Sequence, residues 1–121
     1  MENGSSDDDL YIDDPSHPIP YVYNCDVEAI IKSGGSDLSI VVASPLGSDT
    51  RSLKRLLKKI ETYLRFIGSE EFRTESGVPT VDNTRIVVHL HKASDPAVLR
   101  ALSQCHDWVM DNNAKLIVEY L

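Results

Sequence analysis

The sequence predicts an α+β fold: a two-layer β-β-α-β-α-β domain with a four-stranded mixed sheet and two helices on one face. Three observations lead to it. A hairpin pattern around Gly34-Gly35 is followed by two further aliphatic strand patterns. Two longer stretches repeat apolar residues at helical spacing. Helices separate the later strands, which favours right-handed parallel crossovers, whereas the first pair is antiparallel. The strand order stays open.

Length and composition are those of one folded domain. The chain has 121 residues, of which 41% are hydrophobic and 26% charged. No apolar run approaches the roughly 20 residues of a membrane helix, and the first residues lack the features of a secretory signal. Two cysteines provide neither a disulfide framework nor a zinc quartet. These features predict a cytoplasmic protein that does not enter membranes.

The net charge of -7 is concentrated at the start of the chain. Residues 1–26 contain seven acidic residues and no Lys or Arg, whereas residues 27–121 contain 12 of each sign. One-signed charge with three prolines and few apolar residues predicts disorder. We therefore expect an acidic flexible tail over residues 1–22 and a single domain over residues 23–121. Residues 19–23 could instead dock on the domain as an extended lead-in.

The first two strands form the predicted hairpin. Residues 27–32 alternate aliphatic side chains, and residues 38–43 form the return strand. Between them, Gly34 and Gly35 supply the backbone freedom that a tight turn needs.

The first helix is predicted over residues 50–67. Ser48 or Asp49 is a suitable N-cap, and Gly68 is a plausible stop. Seven apolar residues share about a third of the helical wheel: Leu53, Leu56, Leu57, Ile60, Tyr63, Leu64 and Ile67. Residues 68–83 have no strong periodicity, which predicts either an ordered excursion or a functional loop. Phe72 could pin that segment to the core.

The second half repeats strand, helix and strand. Residues 85–91 read as a strand with alternate aliphatic positions. Asp95 followed by proline at the first helical position indicates a helix over residues 96–111. Asn112-Asn113 suits a left-handed exit, and residues 116–120 form the last strand.

The end of the first helix, ETYLRFIGSEE over residues 61–71, resembles a small bacterial family of unknown function. Its members run an aliphatic strand into a long helix that ends in a YLxFI phrase. The resemblance covers residues 26–121 and implies a bacterial protein with a fold like the one described above. It implies no established activity and no functional residues. The acidic N-terminus departs from that family pattern.

The sheet face opposite the two helices is the main candidate site. Strand alternation places aliphatic residues there among charged ones, which is unusual for a surface that meets only water. Homodimerisation or capture of a partner protein is the natural hypothesis. The interface candidates are Ile30, Val41, Val87, His89 and Ile117.

The first helix also has a basic face. Its members are Arg51, Lys54, Arg55, Lys58, Lys59 and Arg65. Three interpretations stay open: a solvated surface, attraction of an acidic partner or nucleic acid, and attraction of the protein's own acidic tail. Nucleic acid is disfavoured because the domain is electroneutral, the tail would compete, and no aromatic residues interleave the cations.

Chemistry-bearing motifs are sparse. His89 and His91 lie two apart on a predicted strand, so they share a face and are weak candidates for a metal site, although no third ligand is evident. Cys105 and His106 are consecutive on a helix and diverge by about 100°. We expect Cys105 to pack in the core. No nucleophile elbow, zinc-protease or phosphate-loop pattern occurs.

The sequence thus predicts a non-enzymatic protein–protein interaction module that associates through the open sheet face. It predicts no cofactor, no nucleic-acid partner and a possible homodimer. An alternative is a small enzyme or metal-binding protein that uses His89 and His91. A further alternative is an inhibitor or immunity-type protein for one cognate partner.

Overall fold

The computed structural model describes residues 10–25, 27–31 and 35–121. Its strands are β1 (Val27–Ile31), β2 (Gly35–Val42), β3 (Thr84–Leu90) and β4 (Lys115–Tyr120). Its helices are α1 (Thr50–Ile67), α2 (Glu70–Ser76), α3 (Pro96–Gln104) and α4 (His106–Asp111).

The strands follow one another across the sheet in the order β1-β2-β3-β4. Strands β2, β3 and β4 are parallel, and Leu38, Ile86 and Leu116 stand side by side in their register. Strand β1 pairs antiparallel with β2 at the edge, as the hairpin pattern predicted. The strand order, which the sequence left open, is therefore sequential.

The predicted fold class is wrong as stated. The core rests on a three-stranded parallel sheet of β2, β3 and β4, to which β1 adds only an antiparallel edge arm. Four helices, rather than two, connect these parallel strands. One extra helix, α2, lies within residues 68–83, and the second predicted helix is divided at Cys105. The result is an α+β fold, but not a uniform mixed layer under two helices.

One hydrophobic core joins the helices to the parallel sheet. Every sheet residue of the core cluster belongs to a single alternation set, exemplified by Ile40 and Val88, which are 1% and 0% exposed. The same cluster contains apolar residues of all four helices. These helices therefore lie on the same side of the sheet, as two right-handed crossovers in the same direction require.

Helix α1 begins and ends where the sequence predicted. The Asp49 carboxylate accepts the Ser52 N–H at 3.1 Å, and the Gly68 N–H donates to the Leu64 carbonyl at 3.0 Å. These two contacts satisfy backbone groups that the helix itself leaves unpaired. The hydroxyl of Tyr63, midway along the buried side, donates to the Ser39 carbonyl at 2.6 Å.

The segment 68–83 is an ordered excursion. Ser69 caps α2 by accepting the Phe72 N–H at 3.2 Å. The Phe72 ring is 1% exposed and meets Phe66 edge to face, with ring centroids 5.5 Å apart. Gly77 ends the helix at a φ of 86°. The expectation that Phe72 pins this segment is confirmed.

The region predicted as one helix over residues 96–111 is two. Asp95 caps α3 by accepting the Ala97 N–H at 2.8 Å, with Pro96 in the first turn. The helical hydrogen bonding is interrupted at Cys105, whose N–H donates to the Leu102 carbonyl at 3.0 Å, and α4 begins at His106. Asn113 then takes the left-handed conformation that the sequence predicted, with a φ of 65°.

The predicted domain boundary also needs correction. Ile19 and Val22 are 2% and 0% exposed and belong to the hydrophobic core. Residues 10–25, called the strap below, are therefore part of the domain, and the prediction of a flexible tail is wrong for residues 10–22. Its remaining part, residues 1–9, lies outside the described residues. Within the described chain, no helix is both long and apolar enough to span a bilayer.

Candidate functional site

The side of the sheet away from the helices, called the open face below, is built from the second alternation set of β2, β3 and β4. Three rows cross it in register. From one end to the other they are Asp37–Arg85–Lys115, Ser39–Val87–Ile117 and Val41–His89–Glu119. The middle row is uncharged, and the two outer rows carry the ionisable groups.

Four of the five predicted interface residues come together on this face. Val41 is 43% exposed, Ile117 and His89 are half-buried, and Val87 is 5% exposed between its neighbours. The fifth, Ile30, pairs with Ser36 in the backbone register of β1 and β2, and its side chain lies outside the described residues.

A two-pronged ion pair covers one end of the open face. Arg85 donates from Nε to Asp37 Oδ1 at 2.7 Å and from Nη2 to Oδ2 at 2.5 Å. These hydrogen bonds lower the pKa of Asp37 and raise the pKa of Arg85. The two charges neutralise each other within the chain. Lys115, next in the row, makes no ion pair within the described residues.

Three polar side chains line up toward the other end of the open face: Ser39 of the middle row, and His89 and Glu119 of the outer row. His89 Nε2 lies 3.2 Å from the Ser39 hydroxyl, and its Nδ1 lies 3.7 Å from Glu119 Oε1. A serine next to a histidine that is in turn next to a carboxylate is the arrangement of a nucleophile, its base and the group that orients the base. The sequence pattern indicated the histidine but not this alignment, because the three residues belong to three different strands.

His91 does not share this arrangement. Strand β3 ends at Leu90, and the His91 ring turns back so that Nδ1 accepts the Ala93 N–H at 3.0 Å. The predicted pairing of His89 with His91 on one strand is therefore wrong. Among the described residues, no group of three His, Cys, Asp or Glu side chains is arranged to hold a metal ion.

The loops at the carboxyl ends of β2 and β3 are joined to each other through Leu46. Leu46 is 0% exposed. Its N–H donates to the Ser94 hydroxyl and its carbonyl accepts the Asp95 N–H, both at 2.9 Å. These contacts hold together the edge of the sheet where open α/β folds usually bind ligands.

The predicted basic face of α1 is largely covered by the strap. Arg55 is 0% exposed and donates to carbonyls of the strap at 2.6 to 3.0 Å. Four carbonyls accept these bonds: those of Leu10, Ile12, Ile19 and Pro20. Burial is the main cause that lowers the pKa of Arg55 from its ordinary value. Arginine nevertheless stays protonated in proteins, so a cation is buried here under neutral acceptors.

Lys59, one turn further along, repeats this pattern. Lys59 is only 1% exposed. Its Nζ donates to the Tyr21 carbonyl and to the Asn24 carbonyl, the latter at 2.7 Å. The Thr62 hydroxyl donates to the Val22 carbonyl at 2.6 Å. The strap is thus bound along three turns of α1 through its backbone.

The other cations of α1 have different surroundings. Arg51 binds Asp14 at 2.8 Å. The hydrogen bond from the Ser16 hydroxyl and then that from Arg51 hold the pKa of Asp14 far below its usual range. Lys58 binds Glu61 at 2.8 Å, and its Nζ lies 5.1 Å from the centre of the Tyr11 ring. The remaining two are Arg65, with a longer 3.7 Å contact to Glu61, and Lys54. Lys54 lines a surface groove of about 280 Å³ with Leu57 and Trp108.

A second serine–histidine pair, His17 of the strap and Ser52 of α1, has its protons wrongly placed for catalysis. His17 Nδ1 accepts the Ile19 N–H at 2.9 Å, so the proton of the neutral ring must lie on Nε2. That nitrogen therefore donates to the Ser52 hydroxyl, 3.0 Å away, and has no lone pair to activate it. The pair fastens the strap to α1.

The two cysteines differ in their surroundings. Cys105 is 6% exposed in the core, as predicted, and its thiol donates to the Ala101 carbonyl at 3.3 Å. Burial raises the pKa of Cys105 and keeps it a thiol at neutral pH. Cys25 is exposed where the strap ends and lines a surface cavity of about 670 Å³ with Arg65 and Phe66.

No protein-family model, curated protein or solved structure matches this chain. The resemblance of residues 61–71 to a bacterial family therefore stays a prediction.

Proposed function

We propose that the protein is a non-enzymatic binding module that associates with another protein chain through the open face of its sheet. One observation carries the proposal: Val41, at the end of a central strand, is 43% exposed on a face that none of the four helices covers. Ile117 adds aliphatic surface two strands away. Exposed aliphatic residues on an uncovered sheet face favour contact with a partner.

The surrounding charges suit this role. The Asp37–Arg85 pair and Glu119 form a polar rim around the aliphatic positions, which is the usual composition of a protein interface. The three strands of the open face, about 4.8 Å apart and each about six residues long at 3.3 Å per residue, cover roughly 300 Å². This is less than half of the roughly 800 Å² that each partner buries in a standard interface, so one copy alone supports weak binding.

Site-specific photo-crosslinking tests the proposal. A photoreactive residue replaces Val41 in one variant and Val78 in a matched control, because Val78 is 64% exposed but lies in the loop after α2. We expect a discrete crosslinked protein from position 41 only. The captured protein, once identified and purified, should bind the Val41→Lys variant about tenfold more weakly than the Val78→Lys variant. Crosslinks from both positions, or from neither, would refute the proposal.

The alignment of Ser39, His89 and Glu119 favours a second candidate, hydrolysis of small activated esters. In such a reaction the serine oxygen attacks the acyl carbon, His89 takes its proton, and Glu119 stabilises the imidazolium. The ester C–O bond then breaks, the alcohol leaves with the proton from His89, and water, deprotonated by His89, releases the acid from the acyl-serine. The candidate ranks second because backbone amides of central strands donate within the sheet and are not offered to an oxyanion. A p-nitrophenyl acetate assay tests it: a turnover that survives Ser39→Ala excludes this site.

The structure provides no specific contact in favour of an inhibitor or immunity-type role, which stays a prediction. It would show itself as one tightly bound partner in the crosslinking experiment. The absence of a described metal cluster leaves the pairing of His89 and His91 without support as a ligand set.

A further inference from the structure

Strand β4 stands last in the sheet order and pairs with β3 on one side. No strand of the described chain pairs with its other side. Such an edge presents a row of backbone donors and acceptors that can pair with another chain. Its side chains decide whether that pairing is favoured and in which register.

The backbone of β4 shows which residues face outward. The Leu121 N–H donates to the Leu90 carbonyl of β3 at 3.0 Å. Because successive residues of a strand turn their backbone groups to opposite sides, Leu116 and Val118 direct theirs to the outer edge. These two residues would form the hydrogen bonds to an added antiparallel strand.

The side chains of β4 are self-complementary about Ile117. Lys115 and Glu119 lie two residues before and after it on the open face. Lys115 makes no ion pair among the described residues. The Glu119 side chain is 58% exposed, and its Oε1 lies 3.7 Å from His89 Nδ1. Reversing the strand about Ile117 therefore exchanges a positive position for a negative one.

We propose that two copies of this chain pair antiparallel through their β4 edges, about a two-fold axis at Ile117. Lys115 of each copy then lies opposite Glu119 of the other, in non-hydrogen-bonded pairs whose Cα atoms are about 4.5 Å apart. Leu116 lies opposite Val118 and forms the hydrogen-bonded pairs. An axis at Val118 would instead place Ile117 opposite Glu119, so the charges select the first register.

The pairing does not depend on the proposed function of the open face, but it enlarges that face. Two four-stranded sheets would become one continuous sheet, because a closed two-fold contact joins the same edge of each copy. The two open faces then form one surface of roughly 600 Å², which approaches the roughly 800 Å² that one partner contributes to a standard interface. The dimer would thus present a binding surface that a single copy lacks.

Charge reversal tests the register directly. Sedimentation of the full chain at low salt should show a reversible dimer, which Lys115→Glu and Glu119→Lys each weaken about tenfold, since each converts both cross-strand attractions into repulsions. An equimolar mixture of the two variants should recover the dimer, and so should the double variant K115E/E119K. Arg73→Glu, which makes the same charge change on α2, should leave the dimer unchanged.

A wild-type chain that stays monomeric at the highest attainable concentration overturns the proposal. So does a dimer that neither reversal weakens, or a mixture that stays monomeric. Amide exchange gives a second readout: Leu116 and Val118 should become protected as concentration rises, whereas Leu121 is protected throughout by β3. Crosslinking from Val41 to a different protein by a monomeric chain would leave the proposed function standing while this inference fails.

Discussion

Replacing Arg55 by methionine should destabilise the protein more than any other removal of a cation from α1. The guanidinium is 0% exposed, and its donors bind four carbonyls of the strap. Methionine has a similar length but no donor. The substitution therefore leaves buried acceptors without partners while it retains most of the apolar packing.

The expected loss of stability depends on which hydrogen bonds each of the four carbonyls retains in the variant. The Pro20 carbonyl still accepts the Asp14 N–H at 2.9 Å, whereas the Ile19 carbonyl loses both of its bonds from Arg55. An orphaned buried carbonyl costs about 1–3 kcal/mol, and the half-buried acceptors at Leu10 and Ile12 add about 0.5–1 kcal/mol each. We expect a loss of about 3 kcal/mol, a large part of the roughly 5–15 kcal/mol that stabilises a domain.

Urea unfolding at 25 °C, followed by circular dichroism, measures this loss. The matched control is Lys54→Met, which removes a cation from the adjacent position of α1 where no strap carbonyl is bound, and should stay within about 0.5 kcal/mol of the wild type. Arg55→Lys should fall between them, because an ammonium cannot reach all four carbonyls. If Arg55→Met and Lys54→Met differ by less than about 1 kcal/mol, the strap is not held by these bonds.

Three further predictions concern single contacts. Burial lowers the pKa of His17 below 6.5, so stability present above that pH should fall as the pH drops through the lowered value, and denaturation of His17→Gln should lack this dependence. Gly77→Ala should lower the free energy of unfolding in urea by about 1–2 kcal/mol, because Gly77 has a φ of 86°. Gly68→Ala, at a φ of -82°, should leave that free energy within about 0.5 kcal/mol of the wild type, and equal losses for the two variants would contradict the role of the positive φ. Tyr63→Phe should cost about 1 kcal/mol, because it removes the hydrogen bond from the buried Tyr63 hydroxyl to the Ser39 carbonyl, and an unchanged melting temperature would contradict that contact.

Local features of the chain were predictable because they depend on neighbours in sequence. Helix α1 starts at the Asp49 cap and stops at Gly68, and its apolar side is buried, since spacing alone decides which residues share a helix face. The hairpin of β1 and β2, the cap at Asp95 and the left-handed Asn113 were predictable for the same reason.

The division of the second helix was not predictable from periodicity. Apolar spacing continues through Cys105, so the pattern over residues 96–111 reads as one helix. Both α3 and α4 place apolar residues in the core, so the break at Cys105 leaves no mark in the apolar pattern. Helix α2 was missed because seven residues are too few to show a clear period.

The docking of the strap on α1 was not predictable from its composition. Its acidic composition predicted a flexible tail that could be attracted to the basic face of α1. The tertiary structure instead binds it through backbone carbonyls, which every residue carries and which composition cannot reveal. Only Asp14 contributes the predicted kind of charge pair, with Arg51.

By itself, the sequence determined which residues are apolar, how they repeat and where each local element starts or stops, because those properties act over a few residues. The tertiary structure alone decided the sequential strand order, the burial of Arg55 and Lys59 under the strap, and the alignment of Ser39, His89 and Glu119 across three strands. These features join residues up to 80 positions apart in the chain, as Ser39 and Glu119 are. Their contacts depend on how the elements pack, which no local pattern encodes.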